Sequence, residues 1–349
     1  VDFARDETQD DVAGVAADLL ARDLGDEDLW RAMAGADLLS LALPERLGGS
    51  GLGVAEAATV LTEVGRSAAR IPALATIGFG VLPVLALATA SQQDSLLDGV
   101  SGGAVLSAAL AEPGRPFPGR PGATATATDG GYAVTGSFVA VPYADRARYV
   151  LVPTDVGVVA VDPKADGVTS RISPSAVGDP EFSMRLDGAV GMLLGDGTDG
   201  ADAVATLYRL ALAGIAAYAD GLLSGATELT ARHLSERHQF GKPLATFQAV
   251  AQQIADVYVT ARTLHVAALS SVWRVSEGLD AADDLDVTAY WIAAELPPAM
   301  RVLHHLHGGI GVDVTYPLHR YSSTAKDLAR LLGGASYRLD LVGARCSSI

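Results

Sequence analysis

Apolar residues recur at steps of three and four along most of this chain, and at steps of two only across its middle. Val12, Val15, Ala16, Leu19 and Leu20 make a stripe that predicts a first helix, and Asp26 to Ala36 predicts a short second one with an acidic start. Val54, Ala57, Ala58, Leu61 and Val64 return to helical spacing after the Pro44–Gly53 loop. From Val105 to about Gly191 the runs shorten and fill with Val, Thr, Ala and Tyr. Tyr132–Thr135, Tyr149–Val152 and Val158–Val161 predict strands, and Asp129-Gly130-Gly131 a turn. Long helices are then expected over 201–235, 245–276, 280–306 and roughly 320–332. The boundaries fall at 1–103, 104–198 and 199–349: helices, a β insert, then an antiparallel bundle.

Between the first two long helices stands Ser235-Glu236-Arg237-His238-Gln239-Phe240-Gly241-Lys242-Pro243-Leu244, followed by Phe247-Gln248. Gly241 and Pro243 break the helical run, so this decapeptide reads as the tight corner of a helical hairpin. An arginine, an amide and an aromatic ring at such a corner suit an anionic, ring-bearing ligand. The Pro113–Gly122 loop, rich in Pro, Gly and Arg, reads as exposed.

Composition narrows the partners. A formal charge of −16 over 349 residues argues against nucleic acid and anionic membrane surfaces. Cys346 is the only cysteine, so no disulfide or thiolate metal site forms within one chain, as expected for a reducing cytoplasm. Ile71–Ala90 carries no charge, but Pro72, Gly78, Gly80 and Pro83 and the lack of an aromatic belt favour a buried core helix over a membrane span. His304, His305 and His307 lack the i, i+4 spacing and the carboxylate of a metal set, so no metal is expected. Asp283, Asp284 and Asp286 read as a solvated helix start, and Tyr258 and Trp273 as core.

Arg237-His238-Gln239-Phe240-Gly241-Lys242-Pro243-Leu244 with Phe247-Gln248 resembles a signature of the acyl-CoA dehydrogenases. So do His305-Leu306-His307-Gly308-Gly309-Ile310-Gly311 with Tyr316-Pro317-Leu318-His319-Arg320, Leu43-Pro44-Glu45-Arg46-Leu47-Gly48-Gly49-Ser50-Gly51, and Ala111-Glu112-Pro113-Gly114. More narrowly, the chain looks like the short subunit of the heterotetrameric enzymes of that family that shorten steroid side chains in actinobacteria. The resemblance implies an α+β, acyl-CoA dehydrogenase-like fold: an N-terminal helical domain, a middle β-barrel or sandwich domain, and a C-terminal antiparallel four-helix bundle that also mediates oligomerisation.

The family removes the α-proton of an acyl-CoA thioester with a carboxylate and passes the β-hydrogen to the flavin of FAD. The resemblance places that carboxylate either at Gly333, in Gly333-Gly334-Ala335-Ser336, or at Tyr208, in Tyr208-Arg209. Both positions lack an acid. The strand that walls the isoalloxazine departs as well, with Ala140 and Pro142 in place of tryptophan and threonine, and Arg115-Pro116-Phe117 stands where small residues follow Glu-Pro. No catalytic residue is therefore assigned in this chain.

Of the residues that in the family hold a neighbouring subunit's FAD, Arg237, Gln239, Phe240 and Gln248 stand at the corner, and Leu306, Gly308 and Gly309 in the second loop, where His305 replaces the family's glutamine. The expectation is FAD shared across a subunit interface. A paralogous subunit in an α2β2 complex would carry the base, and the substrate would be a steroid side-chain CoA ester. The alternatives are a homotetramer with a relocated base, Glu228 or Asp313, and a scaffold that has lost catalysis.

Overall fold

In the computed structural model, residues 3–196 and 200–346 are described, without the side chains of 345 and 346. The Cys346 thiol and the expected boundary at 198/199 lie outside the described residues. Helix α1 (Glu7–Leu20) is opened by Asp6, whose carboxylate accepts from Gln9 N at 2.8 Å. Its stripe turns Val12, Ala16 and Leu19 inward, whereas Val15 faces solvent at 46% exposure. α2 (Asp26–Gly35) and α3 (Val54–Ser67) follow. The uncharged Ile71–Ala90 stretch contains a π-helical segment, Leu74–Val81, that runs straight into α4 (Leu82–Leu87), and its core is buried. α5 (Ala90–Leu96) closes this helical unit.

The middle of the chain is a nine-stranded mixed sheet: β1 (Val105–Ala108), β2 (Ala111–Glu112), β3 (Arg115–Pro116), β4 (Thr124–Thr128), β5 (Gly131–Pro142), β6 (Ala147–Thr154), β7 (Gly157–Val161), β8 (Val168–Ser173) and β9 (Glu181–Leu193). The order is β1-β6-β7-β9-β5-β2-β3, with β4 on β5 and β8 on β9, and among the described residues only the β1–β6 pair is parallel. β6 and β7 are buried almost throughout because helices cover them.

Five α-helices follow among the described residues: α6 (Gly200–Glu236), α7 (Gln248–Ser276), α8 (Ala282–His307), α9 (Leu318–Leu331) and α10 (Gly334–Cys346). α6 is the spine. A Cβ at Gly221 would lie 1.8 Å from Thr62 O and one at Gly225 2.0 Å from Arg66 O, so only glycine lets α6 press against the backbone of α3. Among the described residues α6 alone is long and apolar enough to cross a membrane, and 94% of its most apolar window is buried in the protein. On α7, Val257, Leu264, Ala268 and Val272 face the core, while Tyr258 lies outside it at 58% exposure. Asp286 also departs from the expected solvated start: it is buried and lies 3.8 Å from the guanidinium of Arg338.

Candidate cofactor site and the blocked interior

The corner between α6 and α7 is a two-stranded β-ribbon. β10 (His238–Gln239) pairs with β11 (Lys242–Pro243), which leaves Phe240 and Gly241 as a two-residue turn. Both have positive φ, 52° and 80°, the conformation that hairpin twist favours and that an aromatic residue tolerates poorly. Phe240 is 92% exposed and meets Phe247 edge-on at 6.3 Å, with Lys242 Nζ 4.3 Å above the Phe247 ring. Arg237 and Gln239 are exposed, and the Arg237 guanidinium makes no ion pair among the described residues. Gln248, exposed, is the first residue of α7.

The second loop begins where α8 ends. Gly308 has φ 62° and ψ −141°, and a Cβ added at Gly308 or Gly309 would meet nothing within 4 Å. His305 points outward, whereas Leu306 is buried and anchors the loop from beneath. The two halves meet through a contact that sequence reasoning does not find. The rings of His233, in the last turn of α6, and His307, just before Gly308, stack at 4.5 Å and 18°. His307 Nδ1 lies 2.9 Å from Leu303 O and Nε2 3.0 Å from the Tyr316 hydroxyl. His304 bonds Ser322 instead, at 2.7 Å. Among the described residues no group of three or more His, Cys, Asp or Glu could hold a metal ion. Crowded histidines are the one signal for this contact, and spacing alone reads them only as a failed metal set.

The interior is built differently. Gly333 has φ +88°, and a Cβ there would fall 2.6 Å from Pro116 Cγ and 2.6 Å from Tyr337 Cδ1. The Tyr337 hydroxyl donates to Pro116 O at 2.7 Å and fixes that contact. The second position that lacks an acid, Tyr208, is buried edge-on against Phe117 at 5.3 Å. Burial pushes the Tyr208 hydroxyl well up from its ordinary range, with Glu112 adding to the shift. Arg338, 1% exposed, lies 5.0 Å over the Phe117 ring and donates from Nε to Leu332 O at 2.8 Å. The expectation of an exposed 113–122 loop thus fails at Phe117 and Pro118, which are buried, with the Phe117 ring between Tyr208 of α6 and Arg338 of α10. Apolar area drives that burial, and Glu112 secures the loop by accepting from Ala123 N at 3.3 Å and Arg115 at 3.0 Å.

Beside Ala140 and Pro142 a cavity of about 110 Å3 is lined also by Phe79, Tyr143, Asp179 and Tyr218. Pockets that hold cofactor-sized molecules run from roughly 300 to 1,000 Å3. The connection between β8 and β9 is strapped over this cavity. Arg70 donates to Asp179 at 3.0 Å and to Gly178 O at 2.9 Å, while Asp327 accepts from Ala176 N and Val177 N, each at 2.9 Å. Burial holds the Asp179 carboxyl above its usual range despite the Arg70 guanidinium beside it. The residues present do not fit a flavin ring here, whereas the open loops fit the polar end of such a cofactor. Neither alternative carboxylate lies in an enclosed site. Glu228 is exposed and pairs with Arg66. Asp313, fully exposed, is held below the usual carboxylate range by the backbone N–H and hydroxyl of Thr315.

Known proteins resemble this one along its whole length. The acyl-CoA dehydrogenase N-terminal domain profile matches residues 1–104 and the C-terminal domain profile residues 197–346. The acyl-CoA dehydrogenase FadE28 of Mycobacterium tuberculosis is 50% identical over 348 residues, covering 99% of each chain. FadE27 of the same organism is 35% identical, covering 91% of this chain and 87% of its own. Among solved structures, a steroid ACAD, Tcur3481–Tcur3483, superposes with a TM-score of 0.90 at 32% identity over 98% of both chains. The ChsE4–ChsE5 complex from Mycobacterium tuberculosis superposes at 0.87 with 30% identity over 100% of both.

Proposed function

The chain belongs to the acyl-CoA dehydrogenase family, and from that footing we propose that it is the subunit of a flavin-dependent acyl-CoA dehydrogenase that lends half a cofactor site to a paralogous partner. One observation carries the reading. The side-chain direction at Gly333 is taken by Pro116 and Tyr337, and a buried tyrosine packed on Phe117 stands at 208, while Arg237, Phe240, Gly308 and Gly309 stand open at the surface. In this reading Arg237 holds the FAD pyrophosphate through its planar fork of donors, Phe240 offers a face to adenine, and Gln239, Gln248 and His305 supply further polar contacts. Gly308 and Gly309 admit the phosphates to the backbone, and Leu306 keeps that loop seated. Bound flavin supplies the hydride acceptor. The partner supplies the carboxylate that takes the α-proton and the pocket around the ring.

The ChsE4–ChsE5 complex among the structural relatives supports a two-paralogue assembly such as α2β2, and the Tcur3481–Tcur3483 steroid ACAD supports a steroid CoA ester as substrate. The acidic balance and near absence of cysteine suit a cytoplasmic enzyme without nucleic-acid or membrane partners. Co-expression with a paralogue that retains the glutamate tests the reading. The pair is expected to copurify yellow and to dehydrogenate a steroid CoA ester, with neither chain active alone. A yellow, active preparation of this chain by itself would sink the proposal, and a colourless, inactive pair would favour a scaffold.

A further inference from the structure

We propose that the stacked His233–His307 pair is the positioning element that couples the two halves of the cofactor clamp, and that protonation of either ring uncouples them and releases the cofactor in acid. The inference rests on the reading of Arg237 and Gly308 as a clamp. His233 lies one helical turn before Arg237, and His307 immediately precedes Gly308. Their 4.5 Å stack therefore ties the two halves together, and its geometry sets how far the arginine stands from the glycines.

The stack suits neutral rings and not charged ones. His307 is buried, and its Nδ1 faces the Leu303 carbonyl, so that nitrogen carries the proton and Nε2 accepts from the Tyr316 hydroxyl. A second proton on His307 would convert Nε2 to a donor and set a cation against the face of His233. The surroundings add little relief. From α6, Arg237 opposes protonation and Glu236 favours it. From α8, His304 opposes it, and α9 contributes Lys326 and His319, which act through His304. Tyr316 is the polar neighbour from the segment before α9. Desolvation, ahead of these charges, holds His233, His304 and His307 below the ordinary value of 6.5. Groups whose native pKa is depressed contribute fully above 6.5. That contribution is lost as pH falls from 6.5 towards the lower native values.

The experiment uses the copurified complex and the isolated full chain. Flavin retained after desalting is measured from about pH 8 to about pH 5 for the native complex and for a His233→Phe/His307→Phe complex, whose rings stack but do not titrate. The native complex is expected to lose flavin with a midpoint below 6.5, and the double variant to hold it about one pH unit lower. Coinciding midpoints overturn the proposal. Imidazole C2–H titrations in the isolated native chain give a readout that needs neither variant nor partner. The two rings are expected to titrate below 6.5 in two separated steps that both resonances sense, and independent titration at the ordinary value overturns the coupling. A complex colourless at pH 8 would strike the clamp reading, while these titrations would still decide whether the pair is coupled.

Discussion

The region around Gly333 and the region around Gly308 both place glycine at positive φ, and they use it to opposite ends. At 333, φ is +88° and the side-chain direction is taken by Pro116 and Tyr337. At 308, φ is +62° and the same direction is open space. One glycine accommodates a neighbour within the chain. The other leaves room for something the chain does not contain. The difference extends to the surroundings. Phe117, Tyr208 and Arg338 are buried against one another at the interior site, while Phe240, Val312 and Val314 are 92%, 75% and 78% exposed around the outer one. Apolar side chains cluster inward where a substrate pocket would be and stand outward where no core requires them. Such a pattern fits a chain whose catalytic surface has moved to an interface.

Restoring the missing acid at the interior site is the sharpest way to break this comparison. Gly333→Glu would impose positive φ on a non-glycine residue, at roughly 1–3 kcal/mol. It would also overpack against Pro116 and Tyr337, at roughly 1–3 kcal/mol more. The expected outcome is a loss of about 2–6 kcal/mol in chemical denaturation of the isolated chain, with no dehydrogenase activity gained. An active, stable variant would mean that the interior is an intact site lacking only its base.

The outer site should respond in the opposite way, in ligand binding rather than in stability. Arg237 is exposed and without an ion pair among the described residues, so Arg237→Ala should leave the unfolding midpoint of the isolated chain nearly unchanged. In the complex it would remove the charge-assisted hydrogen bonds proposed for the pyrophosphate, of about 1.5–3 kcal/mol, so flavin affinity should fall by roughly 10- to 150-fold. Flavin titration of the apo-complex reads this directly. Unchanged affinity would place the cofactor elsewhere.

Much of this contrast is legible in the sequence, and the parts that are not share a physical cause. α6 and α7 are readable because long apolar periodicity survives any local exception. α10 escapes such a reading because, among its described side chains, the one that is fully buried is Arg338, which inverts the pattern by which burial is recognised. Phe117 is hidden in a run of Pro, Gly and Arg whose composition signals exposure, although its ring is 7% exposed. The open site is legible as motif, through Arg237 and Gly308-Gly309, because such residues act through backbone form and charge close in sequence. The His233–His307 stack is a tertiary contact between the ends of two helices, and no local rule pairs its members. The ribbon at 238–243 reads only as a corner, since four paired residues are too few for an alternation to show.

Phe240 yields the smallest effect and the finest discrimination, because stability and binding should there change with opposite sign. An L-residue at φ 52° costs about 1–2 kcal/mol, and asparagine tolerates that region better than phenylalanine. With 92% of Phe240 exposed, little burial offsets that strain, and its edge-on packing against Phe247 adds only a small stabilisation. Phe240→Asn should therefore stabilise the isolated chain by up to about 1 kcal/mol, seen as a small rise in its unfolding midpoint. In the complex the same change removes the ring proposed to face adenine and should weaken flavin binding by roughly 1 kcal/mol, about fivefold. If the ring served the chain's own fold, both measurements would fall together. Changes of opposite sign would mark Phe240 as a residue kept for an assembly rather than for the fold of its own chain.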